Sequence, residues 1–261
     1  MTMDNLIAPV AEHYALYQAE YKRLTNSKAP MLDEVEAYLA GTPGKQLRPL
    51  LLMLSAQACN NLKPTHATMA AAVELVHNAS LMHDDVIDES DSRRGTASVR
   101  GRWGNQTAVL CGDYYLTQVM AAMEKVDNPE ATRLLNDTVA TMCIGELKQL
   151  KAVSSQAVTV DTYLDIIGSK TASLMALCCQ LGALEAKEKE VEALRHYGHH
   201  YGIVFQLRDD LANLNVQHDV ALPSGISPTP LIHTHTHSAL AALNTLPDTP
   251  AKIALAGLLA L

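Results

Sequence analysis

Leu75-Val76-His77-Asn78-Ala79-Ser80-Leu81-Met82-His83-Asp84-Asp85-Val86-Ile87-Asp88 begins as an apolar helix and ends in three carboxylates. At helical spacing Asp84 and Asp88 stand at i and i+4, so they share one face with Cβ atoms about 5–6 Å apart. Like charges so placed repel each other, and no basic residue lies between them. A cation between them removes that penalty. Hard oxygen ligands select Mg²⁺, which takes few carboxylates, keeps waters and completes its octahedron with phosphate oxygens. Asp91, Arg93 and Arg94 follow within one loop, and guanidinium groups pair bidentately with phosphate. The competing reading is a solvated acidic helix end. The apolar run into the aspartates and the two arginines beyond them favour a metal–diphosphate site.

Outward from that stretch the chain reads as helices with short punctuation. Of 261 residues 48% are hydrophobic but only 4% aromatic, and the dominant Ala, Leu and Met form helices rather than strands. The apolar spacing predicts helices over 3–27, 32–39, 49–59, 65–88, 105–124, 129–153, 160–184 and 188–214. Residues 41–44 and 89–103 read as loops. Gly198 and Gly202 sit inside a helix, where each costs about 1 kcal/mol relative to Ala; close packing against a neighbour would explain them. After Leu214, Pro223, Gly225, Pro228 and Pro230 cluster, leaving weak helices around 238–243 and after Pro250. The expected fold class is all-α, one domain over 1–261 with an atypical C-terminal segment from about 215.

Lys plus Arg number 20 against 28 Asp plus Glu, a formal charge of −8, which argues against a nucleic-acid partner. An anionic ligand then needs local basic residues and metal. Cys59, Cys111, Cys143, Cys178 and Cys179 are odd in number and lack C-x-x-C spacing; they read as reduced, buried thiols. The chain opens without a basic-then-apolar leader. Its longest apolar run, near 253–261, is too short for a bilayer. A soluble, cytoplasmic protein with no transmembrane segment is expected.

The opening run, continued through Ser92-Arg93-Arg94-Gly95, resembles the first aspartate-rich region of the trans-isoprenyl (polyprenyl) diphosphate synthases. Gly44-Lys45-Gln46-Leu47-Arg48-Pro49 resembles that family's G-K-x-x-R-P motif, and Gly112-Asp113-Tyr114 its G-D-[YF] turn. Lys170-Thr171 resembles its K-T pair, and Gln206 with Asp209-Asp210 its second aspartate-rich region. The resemblance covers roughly residues 1–214. It implies an isoprenoid-synthase-type helical bundle, with two aspartate clusters facing each other across a central cavity, assembled as a homodimer. The implied reaction condenses isopentenyl diphosphate with an allylic diphosphate, giving a medium-to-long all-trans polyprenyl diphosphate with Mg²⁺ as cofactor.

By the same resemblance Lys45, Arg48, His77 and Arg94 hold the isopentenyl diphosphate. Asp84, Asp85 and Asp88, with Asp209 and Asp210 opposite, bind Mg²⁺. Arg93 and Lys170 face the allylic diphosphate, with Thr171 and Gln206 beside them. Ionising the allylic C–O bond builds charge on the departing diphosphate, so metal, Arg and Lys lower the barrier directly. Ala79 and Ser80, just before Asp84, are small and leave the elongation tunnel open beyond the C15 stage.

The chain also departs from the family pattern. The second cluster ends in Asn213 rather than an acid, and residues 220–230 lack the family's lysines. An alternative therefore stays open: a weakly active or non-catalytic regulatory subunit of a heteromeric synthase. A terpene cyclase of the same fold is disfavoured, since Lys45, Arg48 and His77 would serve no purpose there. Glu146 and Gln149 resemble a G-E-x-x-Q pattern, with Gln149 either orienting reacting groups or making a structural hydrogen bond. His233, His235 and His237 alternate as transition-metal ligands on a strand would, but in a Pro-rich region they are assigned no role. His196, His199 and His200 read as surface or packing residues.

Overall fold

The computed structural model describes residues 2–41, 44–93, 95–155, 158–212, 223 and 226–260. In chain order the helices are α1 (Met3–Ile7), α2 (Ala11–Thr25), α3 (Pro30–Ala40), α4 (Leu47–Ala58), α5 (Pro64–Ile87), α6 (Val99–Trp103) and α7 (Asn105–Val126). They continue as α8 (Pro129–Ser155), α9 (Val160–Ile167), α10 (Ser173–Gly182), α11 (Glu188–Ala212), α12 (Pro228–Leu243) and α13 (Pro250–Leu258). Among the described residues the only sheet is a hairpin of β1 (Ser92–Arg93) and β2 (Thr96–Ala97), with Gly95 at φ 77° in its turn. The all-α expectation holds.

Four segments differ by more than two residues from those read in the sequence, each for a local reason. The first helix is interrupted by a 3₁₀ turn at Ala8–Val10, where Pro9 removes a backbone donor. The segment 89–103 contains the hairpin and α6, the latter capped by Ser98 Oγ accepting from the Gly101 amide at 2.9 Å. Residues 160–184 are split by a π turn, Gly168–Ala172. The fourth, α12, starts ten residues earlier than its apolar pattern. Pro228 and Pro230 lie in its first turn, where prolines forfeit no intrahelical bond, and Ser227 caps it.

The molecule comprises two compact units, one of residues 12–50 and 63–129, the other of 1–11, 51–62 and 130–261. In the smaller unit α5 packs along α7. A Cβ on Gly112 would lie 2.4 Å from His83 Nε2, so only glycine lets the two helices approach this closely. Tyr14, Tyr17 and Leu24 of α2 are buried, and Lys125 of α7 pairs with Glu20 of α2 at 3.0 Å. The Tyr14 hydroxyl donates to Gln46 Oε1 at 2.9 Å, tying down the turn before α4, where Gln46 has φ 49°.

In the larger unit α10 is buried nearly all round and packs on α11. Cβ atoms on Gly198 and Gly202 would lie 2.6 Å from Met175 O and 2.5 Å from Ala172 Cα. The two mid-helix glycines are thus accounted for by close approach, as expected. The last helix is held by its carbonyls: Tyr197 OH donates to Leu255 O and Arg208 Nη1 to Leu259 O, both at 2.6 Å. These groups satisfy helix-end acceptors that would otherwise lack partners. All five cysteines are free thiols, but Cys143 is exposed and Cys59 only partly covered, against the expectation that all are buried. No helix among the described residues is long and apolar enough to cross a membrane.

Candidate active site

α5 delivers its aspartates at its last turn, with Asp88 as the C-cap residue. The three carboxylates are not equivalent. Asp85 is 3% exposed and pairs with Arg93, whose Nε and Nη2 donate to its Oδ1 at 2.8 and 2.7 Å. Asp84 is half-buried and Asp88 exposed. The hairpin positions Arg93 through the pairing Arg93↔Thr96, with the Ser98 hydroxyl donating to Ser90 O at 2.6 Å just beyond. His83 Nε2, in the space that Gly112 leaves, sits 3.2 Å from Val109 O and 3.4 Å from Asp113 Oδ1. The Gly112-Asp113 motif therefore serves the histidine that precedes the aspartates.

The same unit carries the other basic candidates. Lys45 is exposed before α4, Arg48 is in the first turn of α4, and His77 is half-buried on α5. Ala79 is buried at 1%, and the Ser80 hydroxyl donates back to His77 O at 2.8 Å. Arg94 lies outside the described residues.

In the larger unit the π turn projects Lys170 toward α8 and Thr171 toward α11. Single-turn π bulges recur at functional sites, and here the widened turn serves both neighbours. The Lys170 ammonium pairs with the mostly buried Glu146 and donates to Gln149 Oε1 at 2.9 Å. Thr171 Oγ1 donates to Gln206 Oε1 at 3.0 Å, and Gln206 Nε2 donates to Asp210 Oδ1 at 2.8 Å. Tyr163 OH donates to the other Asp210 oxygen in a short hydrogen bond. Burial first, and Asp210 second, push the Tyr163 phenol well above its usual range, so it remains a donor. Asp209, beside Asp210 on α11, is exposed. Asn213 and residues 220–222, 224 and 225 of the segment without lysines lie outside the described residues.

The structure thus joins Lys170, Glu146 and Gln149 in one group, and Thr171, Gln206 and Asp210 in another. Sequence reasoning missed Tyr163, which lies 47 residues before its partner Asp210 with no motif to mark it. It also missed the Asp85–Arg93 pairing, because spacing alone treats adjacent aspartates alike.

Mg²⁺ suits the first cluster. Among the described residues no three acidic, His or Cys donors converge on one point, and Asp85 is turned to Arg93. Mg²⁺ typically takes one or two carboxylates plus substrate phosphates and waters, which Asp84 and Asp88 can supply.

The fold is that of the helical-bundle isoprenyl synthases. A solved polyprenyl synthase from Caulobacter crescentus CB15, complexed with calcium and isoprenyl diphosphate, superposes with a TM-score of 0.91 at 25% identity, covering 99% of this chain and 96% of that one. The sequence profile described as polyprenyl synthetase matches residues 29–221, and the chain belongs to that family. Octaprenyl diphosphate synthase of Escherichia coli (strain K12) is 31% identical, over 91% of this chain and 76% of its own length. Heptaprenyl diphosphate synthase component 2 of Bacillus subtilis (strain 168) is 34% identical, over 80% of this chain and 61% of its own length. The chain thus spans about three-fifths of the latter.

Proposed function

We propose that this chain is a Mg²⁺-dependent trans-prenyltransferase that condenses isopentenyl diphosphate with an allylic diphosphate to a medium-to-long polyprenyl diphosphate. The single observation that carries the reading is the division of labour at the end of α5. Asp85 is bound to Arg93, while Asp84 and Asp88 stand on the more exposed side of the turn. We assign Asp84 and Asp88 as the primary metal ligands and Asp85 as the group that positions Arg93.

Bound Mg²⁺ would neutralise the diphosphate as the allylic C–O bond ionises. Arg93 and Lys170 add fixed positive charge where negative charge develops. Glu146 and Gln149 hold Lys170 in place, while Gln206 and Tyr163 orient Asp210, with Asp209 beside it as second-cluster ligands. Thr171 fixes Gln206. Lys45, Arg48, His77 and Arg94 are assigned to isopentenyl diphosphate, whose double bond attacks the allylic cation. Small Ala79 and Ser80 leave room for a growing chain. A single domain, a cytoplasmic location and a homodimer complete the proposal. Support for the homodimer comes from α8, where Ile144, Leu147, Leu150 and Val153 are all exposed, more apolar surface than a lone helix usually leaves to water.

Purified protein given labelled isopentenyl diphosphate, farnesyl diphosphate and Mg²⁺ is expected to make a product longer than C15. No product under any metal condition would overturn the reading for the isolated chain. Two observations favour a second reading in that event: the B. subtilis relative is named a component, and residues 220–230 lack the family's lysines. That reading is a subunit that becomes active only with a partner chain.

A further inference from the structure

The histidines of α11 and α12 play no part in the machinery above. The two helices pack along a seam in which Leu231 and Ile232 of α12 meet a buried cluster containing Ile203 and Leu207 of α11. One turn further along both helices the apolar pattern stops and His235 faces His200. Their Nδ1 atoms are 2.9 Å apart and their ring centroids 5.1 Å apart. His196, exposed and one turn before His200 on the same side of α11, has its ring 6.4 Å from that of His200. An apolar pair would continue the seam without burying polar ring nitrogens, so the choice of two imidazoles calls for a ligand or a strict hydrogen-bond role.

We propose that His200, His235 and His196 form a binding site for a transition-metal ion of the Zn²⁺ class, which joins α12 to α11. Two imidazoles on one tetrahedral ion, at Zn–N of about 2.0–2.1 Å, have their ligating nitrogens about 3.3 Å apart and ring centroids about 5 Å apart. The His200–His235 pair already meets the centroid separation, and its nitrogens need to part by only a few tenths of an ångström. In the metal-free protein one Nδ1–H donates to the other Nδ1. Among the described residues no three donors yet converge on one point, so His196 completes the set by rotating its exposed side chain. His196 and His200 have the H-x₃-H spacing that presents two imidazoles on one helix face.

Burial, and after it neighbouring imidazoles, hold His200 and His235 below the usual histidine range. Imidazole is a poor ligand for Mg²⁺ and a good one for Zn²⁺, Co²⁺ or Ni²⁺, so this site and the aspartate cluster take different ions. The alternation of His233, His235 and His237 has a structural meaning on a helix that it lacks on a strand. His235 turns inward to α11, while His233 and His237 lie exposed on α12. Those two also stand at i and i+4, which makes them the competing site.

The test is calorimetric titration of the untagged full chain with Zn²⁺ in excess Mg²⁺, with Co²⁺ as a visible-absorbance probe of tetrahedral nitrogen ligation. One site is expected in the wild type. His235→Ala and His200→Ala should each weaken it at least tenfold, and His196→Ala should weaken it measurably. The His233→Ala/His237→Ala double variant should bind as the wild type does. Zn²⁺ should raise the thermal midpoint of the wild type and the double variant, but not of His235→Ala. Unchanged binding in either His196→Ala or His235→Ala, loss of binding in the double variant, or no Zn²⁺ binding at all would each overturn the proposal. Should His200→Ala fail to fold, exposed His196→Ala still decides, since its side chain adds little to the core.

Discussion

At the scale of single residues, two carboxylates that look alike in sequence sit in different surroundings. Asp85 is buried against Arg93, and removing one partner of a covered ion pair strands the other's charge. Asp85→Asn is therefore expected to destabilise the protein by about 1–3 kcal/mol in urea unfolding. Asp84→Ala should leave the unfolding curve nearly unchanged and abolish turnover. Equal stability losses in the two variants would remove the distinction. Glu36 supplies a pH-dependent effect. Burial, the dominant cause, raises its carboxyl from 4.5 to about 7, with Asp33 adding to the rise and a Thr25 hydrogen bond opposing it. Between those values the folded state binds a proton that the unfolded state has released, so stability falls as pH rises from about 4.5 to about 7. The loss amounts to up to about 3 kcal/mol. Glu36→Gln should flatten that dependence and make the variant more stable than the wild type at pH 8, measured by urea unfolding at pH 5 and pH 8. Motif reading finds neither effect, because both follow from what lies against the side chain.

Elements impose their own requirements. α5 and α7 meet at Gly112, where a methyl group would occupy the space of His83 Nε2. Gly112→Ala is expected to destabilise by about 1–3 kcal/mol through overpacking and, by displacing the turn that leads to Asp84, to lower kcat as well. Stability loss with unchanged kcat would show that the contact is structural only. The π turn is the second such case. It was invisible in a continuous helical pattern from 160 to 184, yet it directs Lys170 and Thr171 to two different helices. Lys170→Met should lower kcat/KM by about 100-fold and destabilise, since Glu146 is left buried without its cation. Adding Glu146→Gln should restore much of the stability but little of the activity. A double variant no more stable than the single would show that Glu146 does not depend on Lys170. The prolines before α12 mislead in the opposite direction: breakers inside a helix, they are helix starters in its first turn.

At the scale of the molecule the charges and apolar surfaces decide solubility and association. A net charge of −8 keeps chains apart in general, so assembly has to rest on a local apolar surface. Leu147 of α8 is 65% exposed and is the natural place to test this. The wild type should sediment as a dimer, and Leu147→Glu should shift it toward monomer at micromolar concentration with an unchanged circular dichroism spectrum. A wild-type monomer would instead refute the homodimer proposal and point to a different chain as partner.

The sequence by itself determined the helical class, the place of both aspartate clusters and the family, because these depend on composition, on 3.6-residue spacing and on short motifs that lie contiguous in the chain. The helical spacing of Asp84 and Asp88 was legible for that reason. Only the tertiary structure decided which aspartate Arg93 takes, that Tyr163 belongs to Asp210, that Lys170 sits on a π turn and that His235 faces His200. Each of those pairings closes over 8 to 47 residues of intervening chain. Packing between helices sets such distances, and local periodicity carries no record of them.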